Sequence, residues 1–295
     1  MSTKHTDNTK PCVMYVDSAT VMHVIPGGNS VTGVTSLGDD VFVVRCAYSQ
    51  QKIEVYDAKT FAFQRHITVP GLGVWCYGLV ACSYNRCLYA SDYDNASVHR
   101  VELSDNNAVM EWSVARGPRG LSVNSECNVI VVSRYECKLQ IFTTHGTLLQ
   151  DVQLQADIEG PWHAVELPTS NRFLVSHGHG DSLHRICLVG VDGAVDRSYG
   201  RQKGSELSQL NAPRDVAVDR DGRVLVADHN NDRLLVMDRS LSSAREMSVS
   251  LDAGLDCPDC LWFDRSCRRL YIGECRIGGR VIVVDSLKNF TATQM

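Results

Sequence analysis

The sequence predicts an all-β fold: a six-bladed β-propeller with four-stranded blades, closed by an N-terminal strand in the last blade. Three observations predict it. Short apolar and β-branched runs alternate with turn residues, and no stretch repeats its apolar residues at helical spacing. The layout of these runs recurs six times, aligned on Gly33, Gly78, Gly120, His163, Asp215 and Cys260, with spacings of 45, 42, 43, 52 and 45 residues. The 295 residues are 44% hydrophobic, with 8 prolines and 22 glycines, so one large core can be buried.

The fifth unit is the clearest. Its runs fall at 216–218, 224–227, 234–237 and 247–251, and Asp221-Gly222 marks a hairpin between the first two. Unit one runs through 33–35, 41–44 and 53–56 to an outer strand within 61–70. Unit two has runs at 78–80, 87–90 and 98–101, and unit three at 117–121, 129–132 and 139–142. Unit four has 160–165, 173–175 and 183–188. Unit six shows only three runs, at 257–262, 270–272 and 281–284, before a polar tail. Residues 21–25 resemble the outer strand of unit one and are assigned as its missing fourth strand, because pairing the two ends removes two open sheet edges. Residues 13–16 are a lead-in or an extra edge strand. The expected organisation is a tail over 1–12, one propeller over 13–287 and a C-terminal tail over 288–295.

Lys+Arg 29 against Asp+Glu 34 gives a net charge of −5, which excludes a basic nucleic-acid binder along the whole chain and leaves only a local patch. DNA is not an expected partner. No apolar run approaches the roughly 20 residues that cross a bilayer, so no membrane partner is expected. The N-terminus has no apolar signal core, and the expected location is the cytoplasm. The 12 cysteines are then mostly thiols. Cys257 and Cys260 form a C-x2-C pair, but Cys267 and Cys275 supply no second close pair, so packed thiols are expected rather than zinc. A disulfide between Cys82 and Cys87, or Cys127 and Cys137, is expected only in an oxidising compartment.

Residues 213–236, Pro-Arg-Asp-Val-Ala-Val-Asp through Gly222, Val226-Ala227-Asp228 and Asn231 to Arg233 and Val236, closely resemble the NHL repeat. The unit with Gly117-Pro118-Arg119-Gly120 and Asn124 is a fainter copy. The resemblance covers residues 20 to 287 and implies a fold rather than a function. NHL propellers occur in tripartite-motif ubiquitin ligases, RNA-binding regulators, a peptide-amidating lyase and bacterial sensors, and related folds include calcium-dependent lactonases. These residues include no RING finger, B-box or coiled coil, so the resemblance implies a tripartite-motif-like propeller without ligase modules.

In such a ring, the loops leading into the innermost strands and those joining second to third strands share one face, here called the top. Candidate binding residues there are Arg45, Tyr93, Arg119, Arg134, Tyr135, Trp162, His163, Arg214, Asp215, His229 and Arg276, with Tyr48 beside them. The segment from Ser176 to Asp181 carries His177 and His179, which with His163 form a candidate transition-metal set and the one cofactor alternative, zinc. Blade two aligns aspartates with these histidines, which favours solvated loop residues and no cofactor. Only Asp215 fits the lactonase calcium set. His163, Arg119 and Tyr135 are the residue types the amidating lyase uses, without a motif match. The expected function is therefore a non-catalytic interaction propeller that binds a protein or peptide through its top face. The alternatives are an RNA-binding propeller, which the interspersed acids Asp92, Asp94, Glu136, Asp215, Asp228, Asp259 and Glu274 oppose, and a metal-dependent lyase or lactone hydrolase. Arg233 with Asp228 is expected to anchor a blade turn.

Overall fold

A computed structural model describes residues 17–46, 51–104, 106–167, 170–276 and 278–285. The expected tails, strand 13–16 and Tyr48 lie outside the described residues. The described chain folds into six antiparallel sheets around a central axis. Two N-terminal strands, β1 (Asp17–Ala19) and β2 (Val21–Ile25), precede the first blade. Blade one contains β3 (Val31–Leu37), β4 (Asp40–Arg45), β5 (Lys52–Asp57) and β6 (Phe63–Thr68). Blade two contains β7 (Leu79–Cys82), β8 (Cys87–Asp92), β9 (Ser97–Glu102) and β10 (Val109–Ser113). Blade three contains β11 (Pro118–Val123), β12 (Val129–Ser133), β13 (Lys138–Phe142) and β14 (Leu148–Gln153). Blade four contains β15 (Pro161–Leu167), β16 (Arg172–His177), β17 (Arg185–Gly190) and β18 (Val195–Tyr199). Blade five contains β19 (Pro213–Val218), β20 (Val224–Asp228), β21 (Arg233–Met237) and β22 (Ala244–Val249). Blade six contains β23 (Pro258–Asp264), β24 (Arg269–Glu274) and β25 (Val281–Val284).

Alternation along the second strands explains the continuous apolar runs. Phe42 and Val44 face blade two, packing with Leu79, Ala81 and Leu88. Val41 and Val43 face blade six, packing with Tyr271, Val281 and Val283. The same division holds in blade five, where Val224 and Val226 pack towards blade four, and Leu225 and Ala227 towards blade six. Successive side chains point to opposite faces of a strand, so a sheet covered on both sides must be apolar at every position. Each such Val or Leu contributes about 1.5–3 kcal/mol when fully buried. The fourth strands face solvent on one side and are mostly exposed, as in β6 and β14.

Strand β2 completes blade six, pairing antiparallel with β25 through His23–Val283, Val24–Ile282 and Ile25–Val281. This is the closure read from the sequence. An additional strand departs from four per blade: β1 pairs in parallel with β22 and makes blade five five-stranded. The long spacing of 52 residues into blade five is also accounted for. Residues 200–212 run out and back, and the Arg233 guanidinium donates to the carbonyls of Ser205, Glu206 and Gln209 at 2.8–3.0 Å while bonding Asp228 at 2.8 Å. Arg233 and Asp228 thus anchor the blade turn. No helix among the described residues is long and apolar enough to cross a membrane.

Ile25 is 1% exposed at the closing seam. Ile25→Ala should cost about 2–5 kcal/mol and lower the melting temperature by roughly 5–10 °C. Removing residues 1–26 should lower it further, because the whole edge of β25 is then unpaired; calorimetric melts of both variants check this.

Candidate functional site

Five of the six innermost strands share one local irregularity. Pairing with the second strand slips between Val31 and Gly33, Pro118 and Leu121, Pro161 and His163, Pro213 and Asp215, and Pro258 and Cys260. A bulge leaves one residue without a partner and re-aims its side chain. In four of these blades proline is the first residue of the strand, the position where a missing N–H is tolerated. The residues at these slips are Thr32, Arg119, Trp162, Arg214 and Asp259, and Tyr77 occupies the equivalent place before β7. All six line the mouth of an axial cavity of about 750 Å³.

Around the mouth these side chains stack in sequence. The Arg119 guanidinium lies 3.7 Å from the centre of the Tyr77 ring, 4.4 Å from Trp162 and 4.9 Å from Tyr93. Arg134, from the loop after β12, lies 4.4 Å from Trp162, and Arg214 lies 4.7 Å from it. Trp162 is fixed by a hydrogen bond from Nε1 to the Gly178 carbonyl at 3.1 Å. Trp75 stacks on Tyr77 at 5.9 Å, and the Tyr93 hydroxyl bonds that of Tyr135, which is 62% exposed. Arg214 is ion-paired with Asp259 and also contacts the Cys275 sulfur. Burial opposes its charge, but Asp259 and Cys275 raise its pKa. Arg119 and Arg134 have no carboxylate partner among the described residues. Burial lowers both pKa values, helped by Arg134 at Arg119 and by Arg214 at Arg134.

One residue deeper, the waist of the channel carries Gly33, Gly78, Gly120, His163, Asp215 and Cys260. A Cβ on Gly120 would meet His163 Cδ2 at 2.3 Å, so only glycine leaves room for the imidazole there. His163 Nδ1 lies 2.5 Å from Asp215 Oδ1 and 3.1 Å from the Val216 carbonyl, and Nε2 lies 3.1 Å from the Leu121 carbonyl. Both nitrogens face acceptors, an arrangement that favours the protonated ring. Burial opposes this, but the Asp215 carboxylate and the hydrogen bonds raise the His163 pKa. Asp215 Oδ2 also accepts the Leu261 N–H at 2.8 Å, tying blade five to blade six.

Tyr93, Arg119, Arg134, Tyr135, Trp162 and Arg214 are therefore brought together, with His163 and Asp215 beneath them. Three residues expected on this surface are engaged elsewhere. Arg45 is buried between blades six and one, pairing with Glu54 at 2.8 Å and donating to the Gly279 carbonyl at 2.7 Å. Its guanidinium fills the space a Gly27 Cβ would need, 2.0 Å away. His229 is buried, with Nδ1 3.2 Å from the Pro258 carbonyl, and burial and then Arg214 lower its pKa. Arg276 is exposed and pairs with Asp256 at 3.0 Å.

The candidate metal set is not assembled. His177 is fully buried, with Nε2 accepting from Arg185 Nε at 3.1 Å, and burial followed by Arg185 lowers its pKa to about 3. His179 is exposed beyond the Gly178 turn, and His163 offers no free lone pair. Among the described residues, the groups with metal-ligand spacing are His229, Asp259 and Cys275, and Asp232, Asp256 and Cys257. Arg214 already contacts Asp259 and Cys275 in the first. The C-x2-C pair is divided, since Cys260 is buried at the waist and belongs to neither group. All the described cysteines are free thiols.

The fold and mouth define a six-bladed propeller with a cation–aromatic opening on its top face. Residues 210–237, in blade five, match the NHL repeat family model. No curated protein sequence matches the chain. Among solved structures the chain is similar to a streptogramin B lyase, with a TM-score of 0.64 and 10% identity over 89% of this chain and 98% of that one. It is also similar to Kuenenia stuttgartiensis hydrazine synthase, with a TM-score of 0.62 and 14% identity over 86% and 76%. A Bacteroides thetaiotaomicron protein of unknown function gives a TM-score of 0.69 and 12% identity over 88% and 72%. At these identities the likeness shows the fold alone.

The raised His163 pKa carries a sign. The ion pair contributes its full stability below the ordinary imidazole value of 6.5 and loses it as pH rises through the folded-state value. Asp215→Asn should cost about 3–5 kcal/mol on the acidic side. The gap in melting temperature between wild type and variant should be widest below about pH 6.5 and narrow as pH rises above it; parallel melts on both sides of that value check it.

Proposed function

We propose that the chain is a non-catalytic interaction propeller that takes a protein or peptide partner at its top face. The observation that carries this reading is the mouth itself: Arg119, Arg134 and Arg214 packed on the faces of Trp162 and its tyrosine neighbours. Trp, Tyr and Arg are the residues that dominate binding energy at interfaces, and here they sit on rigid strand ends and short loops. A catalytic reading through His163 is disfavoured, because a ring with acceptors at both nitrogens is neither a base nor a metal ligand. The lyases among the similar structures share a fold that hosts many chemistries. The cytoplasm is the proposed location.

A second reading is favoured by one observation. Asp92, Asp228 and Glu274 are fully buried in blade turns, so they do not oppose a polyanion at the surface as the sequence alone suggested. Arginines interleaved with aromatic rings suit unpaired RNA bases and phosphates.

Affinity capture from an extract of the protein's own cells separates the two. A protein partner should survive nuclease treatment and be lost at least tenfold in both Trp162→Ala and Arg134→Glu, with Arg172→Gln on the opposite face unaffected. Capture abolished by nuclease, with affinity falling steeply in salt, would replace the protein reading with the RNA one.

A further inference from the structure

We infer that the part of the mouth over blades three and four is a binding site for a carboxylate, supplied by an acidic side chain or by the C-terminus of a peptide. The inference rests on the top-face reading above and names the chemistry that face recognises. It comes from two independent positions in the repeat.

The first is the guanidinium pair. Arg119 Nε and Arg134 Nη1 are buried without a hydrogen-bond partner, and neither side chain meets a carboxylate. Arginines that flank the second-to-third-strand turns elsewhere, including Arg185 of blade four, are neutralised internally: Arg185 by Asp157, Arg233 by Asp228, Arg280 by Glu274 and Arg45 by Glu54, at 2.6–2.8 Å. Arg214, the third cation on Trp162, has Asp259. Arg119 and Arg134 are left to aromatic faces, as the exposed Arg116 is over Tyr135 at 6.0 Å, and such faces hold a guanidinium flat with its edge free to donate.

The second is the last residue of each second strand. Blades two, five and six place a fully buried carboxylate there: Asp92, Asp228 and Glu274. Blades three and four place Ser133 and His177, and burial with Arg185 keeps His177 neutral. The sector holding these two cations is therefore also the one whose second strands end without the buried carboxylate found in three other blades, and Glu136, in the turn after β12, is taken by Lys138 at 2.9 Å. A planar carboxylate between two guanidinium edges would satisfy the donors left open, and the apolar rings around it exclude competing water. The Tyr135 and Tyr93 hydroxyls extend the polar rim outward from that point.

Isothermal titration calorimetry at low salt tests this with four probes: acetyl-hexaglutamate amide, a neutral Gly-Ser hexapeptide with a free C-terminus, the same peptide amidated, and hexauridylate. The carboxylate probes should bind and the amidated neutral peptide should not. The acidic amide binding alone assigns a side-chain carboxylate, and the free C-terminus binding alone assigns a chain end. Affinity should fall at least tenfold in Arg119→Gln and in Arg134→Gln and hold in Arg172→Gln. Arg134→Gln lies on a loop outside the strand ladders, so it reads the site even where Arg119→Gln fails to fold. Equal binding of the amidated neutral peptide, unchanged affinity in Arg134→Gln, or tighter binding of hexauridylate than of the acidic peptide would overturn the inference. A partner lost in Trp162→Ala, with no binding of either carboxylate probe, overturns it while leaving the top-face reading in place.

Discussion

Every blade in this protein needs two neighbours. Its middle strands are apolar on both faces, and alternate residues of a single strand enter two separate cores, as Phe42 and Val41 do. A blade with one neighbour would leave a row of Val, Ile and Leu in water, so the repeat is stable only once the row of sheets returns to its start. Closure falls to the N-terminal segment, which lies on blade five through β1 and on blade six through β2. That strap crosses the seam between the blade that carries the clearest repeat and the blade that lacks a fourth strand of its own. Once the ring closes, the innermost strands converge, and residues separated by some forty positions in the chain become neighbours around one axis.

Within that ring the bulge at the start of the innermost strand separates packing from chemistry. The scaffold requires an extra residue there, but no partner strand constrains its side chain. The core positions of the blades consequently converge on the same aliphatic residues, while the bulge positions diverge into Thr32, Arg119, Trp162, Arg214 and Asp259. The next residue inward shows how tightly the waist couples one blade to another. Gly120 is required because the imidazole of His163, from the following blade, occupies the place of its side chain. The protonated form of His163 is in turn favoured because Asp215, one blade further on, faces it.

Much of this arrangement could be read from the chain, because it depends on spacing. The six units, the closing strand at 21–25 and the anchoring role of Arg233 follow from periodicity and local turn chemistry. Strand β1 does not, since Asp17-Ser18-Ala19 has no apolar alternation and pairs only because β22 offers an open edge. Tyr77 was legible in principle: it precedes the waist residue Gly78 as Arg119 precedes Gly120 and Trp162 precedes His163. Arg45 and the histidines failed for a different reason. Sequence places a residue on a loop or strand end but does not say whether its side chain turns outward. Arg45 turns into a cleft that Gly27 leaves open, onto the Gly279 carbonyl, and His177, the last residue of β16, turns inward onto Arg185.

The distribution of charge completes the argument. Burying a guanidinium costs several kcal/mol even after relaxation, whereas a cation–π contact returns about 0.5–2 kcal/mol. Arg214 offsets its burial with Asp259, as the blade-turn arginines do with their own carboxylates. For Arg119 and Arg134 the fold supplies ring faces alone, and the second strands of the two blades nearest them end in Ser133 and His177 rather than in a buried carboxylate. Stability would be better served by apolar residues at both positions, since uncharged side chains would pack on Trp162 without the desolvation penalty. Two incompletely compensated cations beside one fixed aromatic ring are therefore better understood as half of an interaction, with the other half carried by a partner.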